Sequence, residues 1–99
     1  MVKHIVLYKF NDSITQDIIG KIIQKFNECK SILEGIIEIE FGENCSLKKH
    51  LNHGFNYGLF ITFENIEVIK KYNELNEHKE AQEIMSKYQE DVLVFDIEC

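Results

Sequence analysis

The sequence predicts an α+β domain, a four-stranded antiparallel sheet with its helices on one face, in the order β-α-β-β-α-β. Three observations predict it. Period-two alternation of apolar residues returns four times along the chain. Helical spacing fills the interval after the first strand and the interval before the last. Only a polar loop separates the two middle strands, so they pair without a crossover helix. Ninety-nine residues make a single domain, residues 1–99, with a modest core.

Residues 2–10 alternate, with His4, Val6, Tyr8 and Phe10 on one face and Ile5 and Leu7 on the other. Asn11-Asp12-Ser13 ends this strand, and Thr15 or Ser13 can cap the helix that follows. Ile18, Ile22, Phe26 and Cys29 then recur at helical spacing, with Ile19 and Ile23 widening the stripe. Gly35 marks the turn into a second strand, Ile36 to Phe41, where Ile37, Ile39 and Phe41 alternate with Glu38 and Glu40. Residues 42–54 are polar and read as a loop. A third strand covers Phe55 to Phe63, with Phe55, Tyr57, Leu59, Ile61 and Phe63 in phase. Asn65 caps a short helix carrying Ile66, Ile69 and Tyr72. Leu75-Asn76-Glu77 interrupts it, and a further helix runs from about His78 to Tyr88. The β-prone run Val92 to Ile97 closes the sheet.

Helices that cover one face leave the other bare, and the first and last strands are apolar on both. Ile5 and Leu7 oppose Val6 and Tyr8; Leu93 and Phe95 oppose Val92 and Val94. An uncovered apolar face is a liability unless another surface buries it. The simplest cover is the same face of a second copy, an isologous contact that makes a homodimer.

Composition narrows the remaining partners. Seventeen acidic residues against eleven lysines, with no arginine, give a net charge of −6. Nucleic-acid and anionic-membrane surfaces call for the opposite sign, so neither is expected as a partner. No apolar run reaches the ~20 residues of a membrane span. The start of the chain alternates and includes lysines, unlike a secretory leader, and with no C-x-x-C pair the three cysteines read as reduced thiols, so a cytoplasmic protein is expected. Cys45, His50 and His53 share a loop but lack paired-ligand spacing, and neither a metal nor an organic cofactor is expected. Glu74, Glu77, Glu80 and Glu83 read as a solvated helix face.

Four segments together resemble the stress-responsive A/B barrel family. They are Val2-Lys3-His4-Ile5-Val6-Leu7-Tyr8-Lys9-Phe10, Asn52-His53-Gly54-Phe55, Tyr72 with His78 six residues later, and Asp91-Val92-Leu93-Val94-Phe95-Asp96. The resemblance covers nearly the whole chain. It implies a ferredoxin-like protomer whose dimer forms a dimeric α+β barrel between facing sheets. It also implies a link to stress responses and, by likeness to a plant polyketide cyclase, cofactor-independent ring closure by a histidine and a tyrosine. Those positions fall on His78 and Tyr72. The sequence departs from the family pattern at Leu75-Asn76-Glu77-His78, where a His-Pro-x-His stretch is usual, and at Asn56-Tyr57, where an Asp-His pair is common.

Spacing places His78 in line with Ala81, Met85 and Tyr88, and Tyr72 in line with Val68 and Ile69. On the family arrangement His4, Val6, Tyr8, Tyr57, Leu59, Ile61, Ile22 and Phe26 would line one pocket with them, between helices and sheet. A neutral imidazole at a helix start can act as general base, and a phenol can steady an enolate oxygen. The same residues fit a hydrogen-bonded core, with His4 bonded to His78 or to a neighbouring strand. Two functional readings follow: a dimer that holds a small apolar ligand without turnover, or a small cyclase- or isomerase-like enzyme using His78 and Tyr72.

Overall fold

A computed structural model describes residues 1–99. Strand β1 (Val2–Phe10) leads through helix α1 (Gln16–Ile32) to β2 (Ile36–Glu43). A loop with one 3-10 turn (Lys49–Leu51) then reaches β3 (Tyr57–Phe63), and helices α2 (Ile66–Glu74) and α3 (Asn76–Ser86) precede β4 (Gln89–Glu98). The strands form one sheet in the order β2-β3-β1-β4, antiparallel throughout. This is the ferredoxin-like α+β arrangement expected from the element order.

Each helix start has a local cause. The Thr15 hydroxyl accepts the Ile18 N–H at 3.3 Å and starts α1, so Thr15 rather than Ser13 is the cap. Asn65 accepts the Val68 N–H in the same way at α2. The break before α3 is narrower than the sequence suggests: Leu75 alone is extended, at φ −65° and ψ 135°, and α3 begins at Asn76. Its carbonyl still accepts the Lys79 N–H at 3.1 Å, so the two helices meet at a bend with little backbone left unpaired.

Two strand readings are corrected. A bulge between Ile36 and Glu38 shifts the register, so Ile36 is buried and Ile37 is exposed. Phe55 lies before β3, because Asn56 stands in for the ladder there. Its side chain accepts the Phe10 N–H and donates to the Phe10 carbonyl, both at 2.9 Å. A carboxylate in that position could accept but not donate, which gives the asparagine a structural reason.

The helix-side face of the sheet carries Val6, Tyr8, Phe10, Leu59, Ile61 and Phe63, which pack with Ile19, Ile22, Phe26 and Cys29 of α1 in one core. Tyr72, Ala81 and Met85 close it from α2 and α3. Ile18 and Ile23 of the predicted stripe sit at its edge instead, Ile18 half-buried and Ile23 exposed. The opposite face has no covering element. It presents Ile5, Leu7, Phe60, Leu93, Phe95 and Ile97, and all ten residues of β4 are exposed.

Candidate functional site at the bend between the second and third helices

The bend at Leu75 turns α3 back so that the His78 ring lies against the Tyr72 ring. Their centroids are 4.0 Å apart and the planes differ by 30°. Tyr72 also meets Phe63 edge-on at 5.2 Å and His4 edge-on at 6.2 Å. His4 comes from β1, and its Nδ1 lies 2.5 Å from Asp96 Oδ1 on β4, the residue paired with it across the strands. The constellation thus runs from the buried Tyr72 ring outward to the exposed last strand.

Two atoms in it have no partner. The Tyr72 hydroxyl and His78 Nδ1 are both buried, and neither makes a hydrogen bond. Most buried polar side-chain atoms are bonded, so two orphans on stacked rings are unusual for a structural core. Burial is also the main influence on how these groups ionise. It holds the Tyr72 phenol well above its usual range, with Tyr8 and Cys29 nearby adding to the effect. It lowers His78 below 6.5, assisted by His4, while the backbone carbonyls of Asn73 and Tyr72 lean the other way. Near pH 7 the site therefore offers a neutral imidazole beside a protonated phenol. Burial pushes the neighbouring Cys29 thiol up to about 11, which keeps it protonated as well.

Of the other residues expected to line a pocket here, Val6, Tyr8, Ile22, Phe26, Tyr57, Leu59 and Ile61 all lie on the helix side and are buried. Tyr8 and Tyr57 belong mainly to a neighbouring aromatic group with Phe10, Phe41 and Phe26. Tyr8 nonetheless lies close enough to influence Tyr72. No three His, Cys, Asp or Glu side chains converge as metal ligands, and Cys45, His50 and His53 do not form such a group.

Sequence reasoning missed two features. Asp96 is one, although its in-phase pairing with His4 follows once the strand register is known. The other is a concavity of about 680 Å³ on the bare sheet face, lined by Leu7, Gly42, Gly58, Phe60 and Leu93 and by the loop from Asn44 to Phe55. Gly42 falls in the stretch read as a loop and meets Gly58 only through strand pairing, so the sequence carried no signal for this concavity.

A four-stranded antiparallel sheet with helices on one face, an apolar bare face on the other and a histidine–tyrosine pair at a helix bend defines a ferredoxin-like α+β protein. Residues 2–99 match the model of the stress responsive A/B barrel domain, and the chain is a member of that family. It is similar to olivetolic acid cyclase of Cannabis sativa, at 24% identity over 95 residues, covering 96% of this chain and 93% of that protein. It is also similar to the stress-response A/B barrel domain-containing protein HS1 of Arabidopsis thaliana, at 26% identity, covering 96% of this chain and 86% of that protein. Among solved structures, a dimeric ferredoxin-like protein of unknown function from Jannaschia superposes with a TM-score of 0.88 at 20% identity. That match covers 99% of this chain and 98% of the other.

Proposed function

We propose that this chain is a homodimeric A/B barrel protein that holds a small, largely apolar ligand bearing an oxygen function between its helices and sheet. Tyr72 and His78 make the polar contacts. The observation that carries this reading is the pair of orphaned atoms. An unpaired buried polar group costs about 1–3 kcal/mol, so a fold that keeps two side by side gains most from a ligand that satisfies both. The phenol donates to a carbonyl or hydroxyl oxygen, and the neutral imidazole offers its unprotonated nitrogen to a proton of the same molecule. The side chains packed around Tyr72, Phe63 among them, are apolar, which suits a ligand with a hydrocarbon body. The dimer follows from the bare face, and the dimeric Jannaschia relative supports it. The unpaired thiols Cys29, Cys45 and Cys99 suit a reducing, cytoplasmic setting, and the net charge of −6 disfavours nucleic acid and anionic membrane.

A second reading goes further with the same atoms. A neutral imidazole stacked on a phenol can remove a proton alpha to a carbonyl while the phenol donates to the enolate oxygen, with no metal or cofactor. The similarity to olivetolic acid cyclase favours ring closure as the outcome. His78→Ala and Tyr72→Phe separate the readings when assayed on a panel of polyketide-like and oxo-acid compounds. If the chain is an enzyme, both folded variants lose turnover of a compound the wild type converts, about a hundredfold or more for His78→Ala. If it is a binder, no compound turns over and both variants weaken ligand binding. Unchanged binding in both, with no turnover, rejects the site altogether.

A further inference from the structure

The Tyr72 hydroxyl and His78 Nδ1 are both out of solvent, and Tyr72 as a whole is 1% exposed. A ligand can bond these two atoms only if part of the protein moves. The first turn of α3, residues 76–80, is held by little. Asn76, Lys79 and Glu80 are exposed, Glu77 and His78 are half-buried, and α3 enters the core only at Ala81 and Met85. A single extended residue, Leu75, separates this turn from α2. Helix α3 is also the one α-helix that starts without a side-chain cap, whereas Thr15 and Asn65 cap the other two. An ion pair ties the turn to α1: Lys25 Nζ lies 2.7 Å from Glu80 Oε2, and 3.5 Å from Glu28 Oε2. A pair this exposed holds weakly and is screened by salt.

We infer that residues 76–80 form a gate, hinged at Leu75 and latched by the Lys25–Glu80 pair, through which a ligand reaches Tyr72 from the side of α1. The inference rests on the ligand reading above and adds the route into that site. Opening the turn carries His78 off the Tyr72 ring, and closing it brings both polar atoms onto the ligand. A hollow of about 580 Å³ already lies outside the turn, lined by Gln24, Asn27, Glu28 and Ser31 of α1 and by Glu77 of α3. Cys29 lies between this hollow and the site. It is fully buried, close enough to Glu77 to feel its charge, and close enough to Tyr72 to influence the phenol. An open turn therefore uncovers Cys29 on the way to Tyr72. Local openings of this kind need less free energy than global unfolding, because few contacts break.

Cys29 reports the gate without any ligand. Its labelling rate with a maleimide is measured in a Cys45→Ser, Cys99→Ser background, which removes the two exposed thiols. The parent is compared with Glu80→Gln, which breaks the latch, and with Asn76→Pro, which stiffens the hinge. Proline suits the first position of a helix, and the extended Leu75 before it has the conformation a proline requires. Glu80→Gln is expected to label about threefold faster than the parent, and Asn76→Pro about threefold slower. Added salt speeds the parent but not Glu80→Gln. Urea unfolding of the same three proteins gives the rate that global unfolding alone would allow. Labelling no faster than that limit, or equal rates in all three proteins, overturns the gate. These rates do not depend on a ligand, so a failed gate leaves the Tyr72–His78 site standing. Failure of the site itself shows instead as unchanged binding in His78→Ala and Tyr72→Phe.

Discussion

Tyr72 and His78 are separated by six positions in sequence and brought face to face by a single extended residue, Leu75. Their protonation states follow from burial, and this has a measurable consequence at His78. In the folded chain the imidazolium is disfavoured, whereas the unfolded chain protonates near 6.5. Below that pH the unfolded state binds more protons, so stability contributed by neutral His78 is fully present above 6.5 and falls as the solution is acidified. Urea midpoints measured from pH 8 to pH 5 are expected to decline in the wild type, and to decline less in His78→Phe. Equal slopes would mean that the histidine is not held neutral by the fold. The sequence made the candidate pair legible through helical phase and family motif, but it could not show the orphaned atoms. Whether a buried hydroxyl has a partner depends on distances of a few tenths of an ångström across elements, which periodicity does not encode. Asp96 was hidden for a related reason: it reads as a polar residue on an edge strand until the register sets it opposite His4.

Among the elements, the turn between α1 and β2 controls how α2 sits. Gly35 has φ +104°, and an added Cβ would stand 2.6 Å from Val68 Cγ2 on α2. Substitution there forces both backbone strain and a displaced helix, the helix that carries Tyr72. Gly35→Ala is therefore expected to destabilise the protein by about 2 kcal/mol or more in urea unfolding. A loss below about 0.5 kcal/mol would show that the turn and α2 adjust freely. Element types were readable throughout, because alternation and helical spacing are local patterns. The errors fell where tertiary geometry overrides them. Ile37 fits the alternation of β2, yet the bulge turns it outward and buries Ile36. Phe55 is in phase with β3, yet the two bonds of Asn56 to Phe10 occupy the pairing position ahead of the strand.

At the scale of the whole molecule the two faces of the sheet divide the roles. The helix side carries the Tyr72–His78 pair, and the bare side presents an uncovered apolar surface with the hollow and β4. The apolar residues on both faces of β1 and β4 announced this division in the sequence. The shape of the hollow did not show there, since Gly42 and Gly58 become neighbours only through strand pairing. Stability of the entire fold also reports on the site, because a buried polar atom without a partner counts against the native state. The unfolding free energy of Tyr72→Phe in ligand-free protein is thus the most direct test that this site awaits a ligand. If the hydroxyl is unpaired, its removal leaves the fold as stable or raises its stability by about 1 kcal/mol, while ligand binding is lost. A loss of about 1 kcal/mol or more would instead mark the hydroxyl as a bonded member of an ordinary core, and would contradict the site.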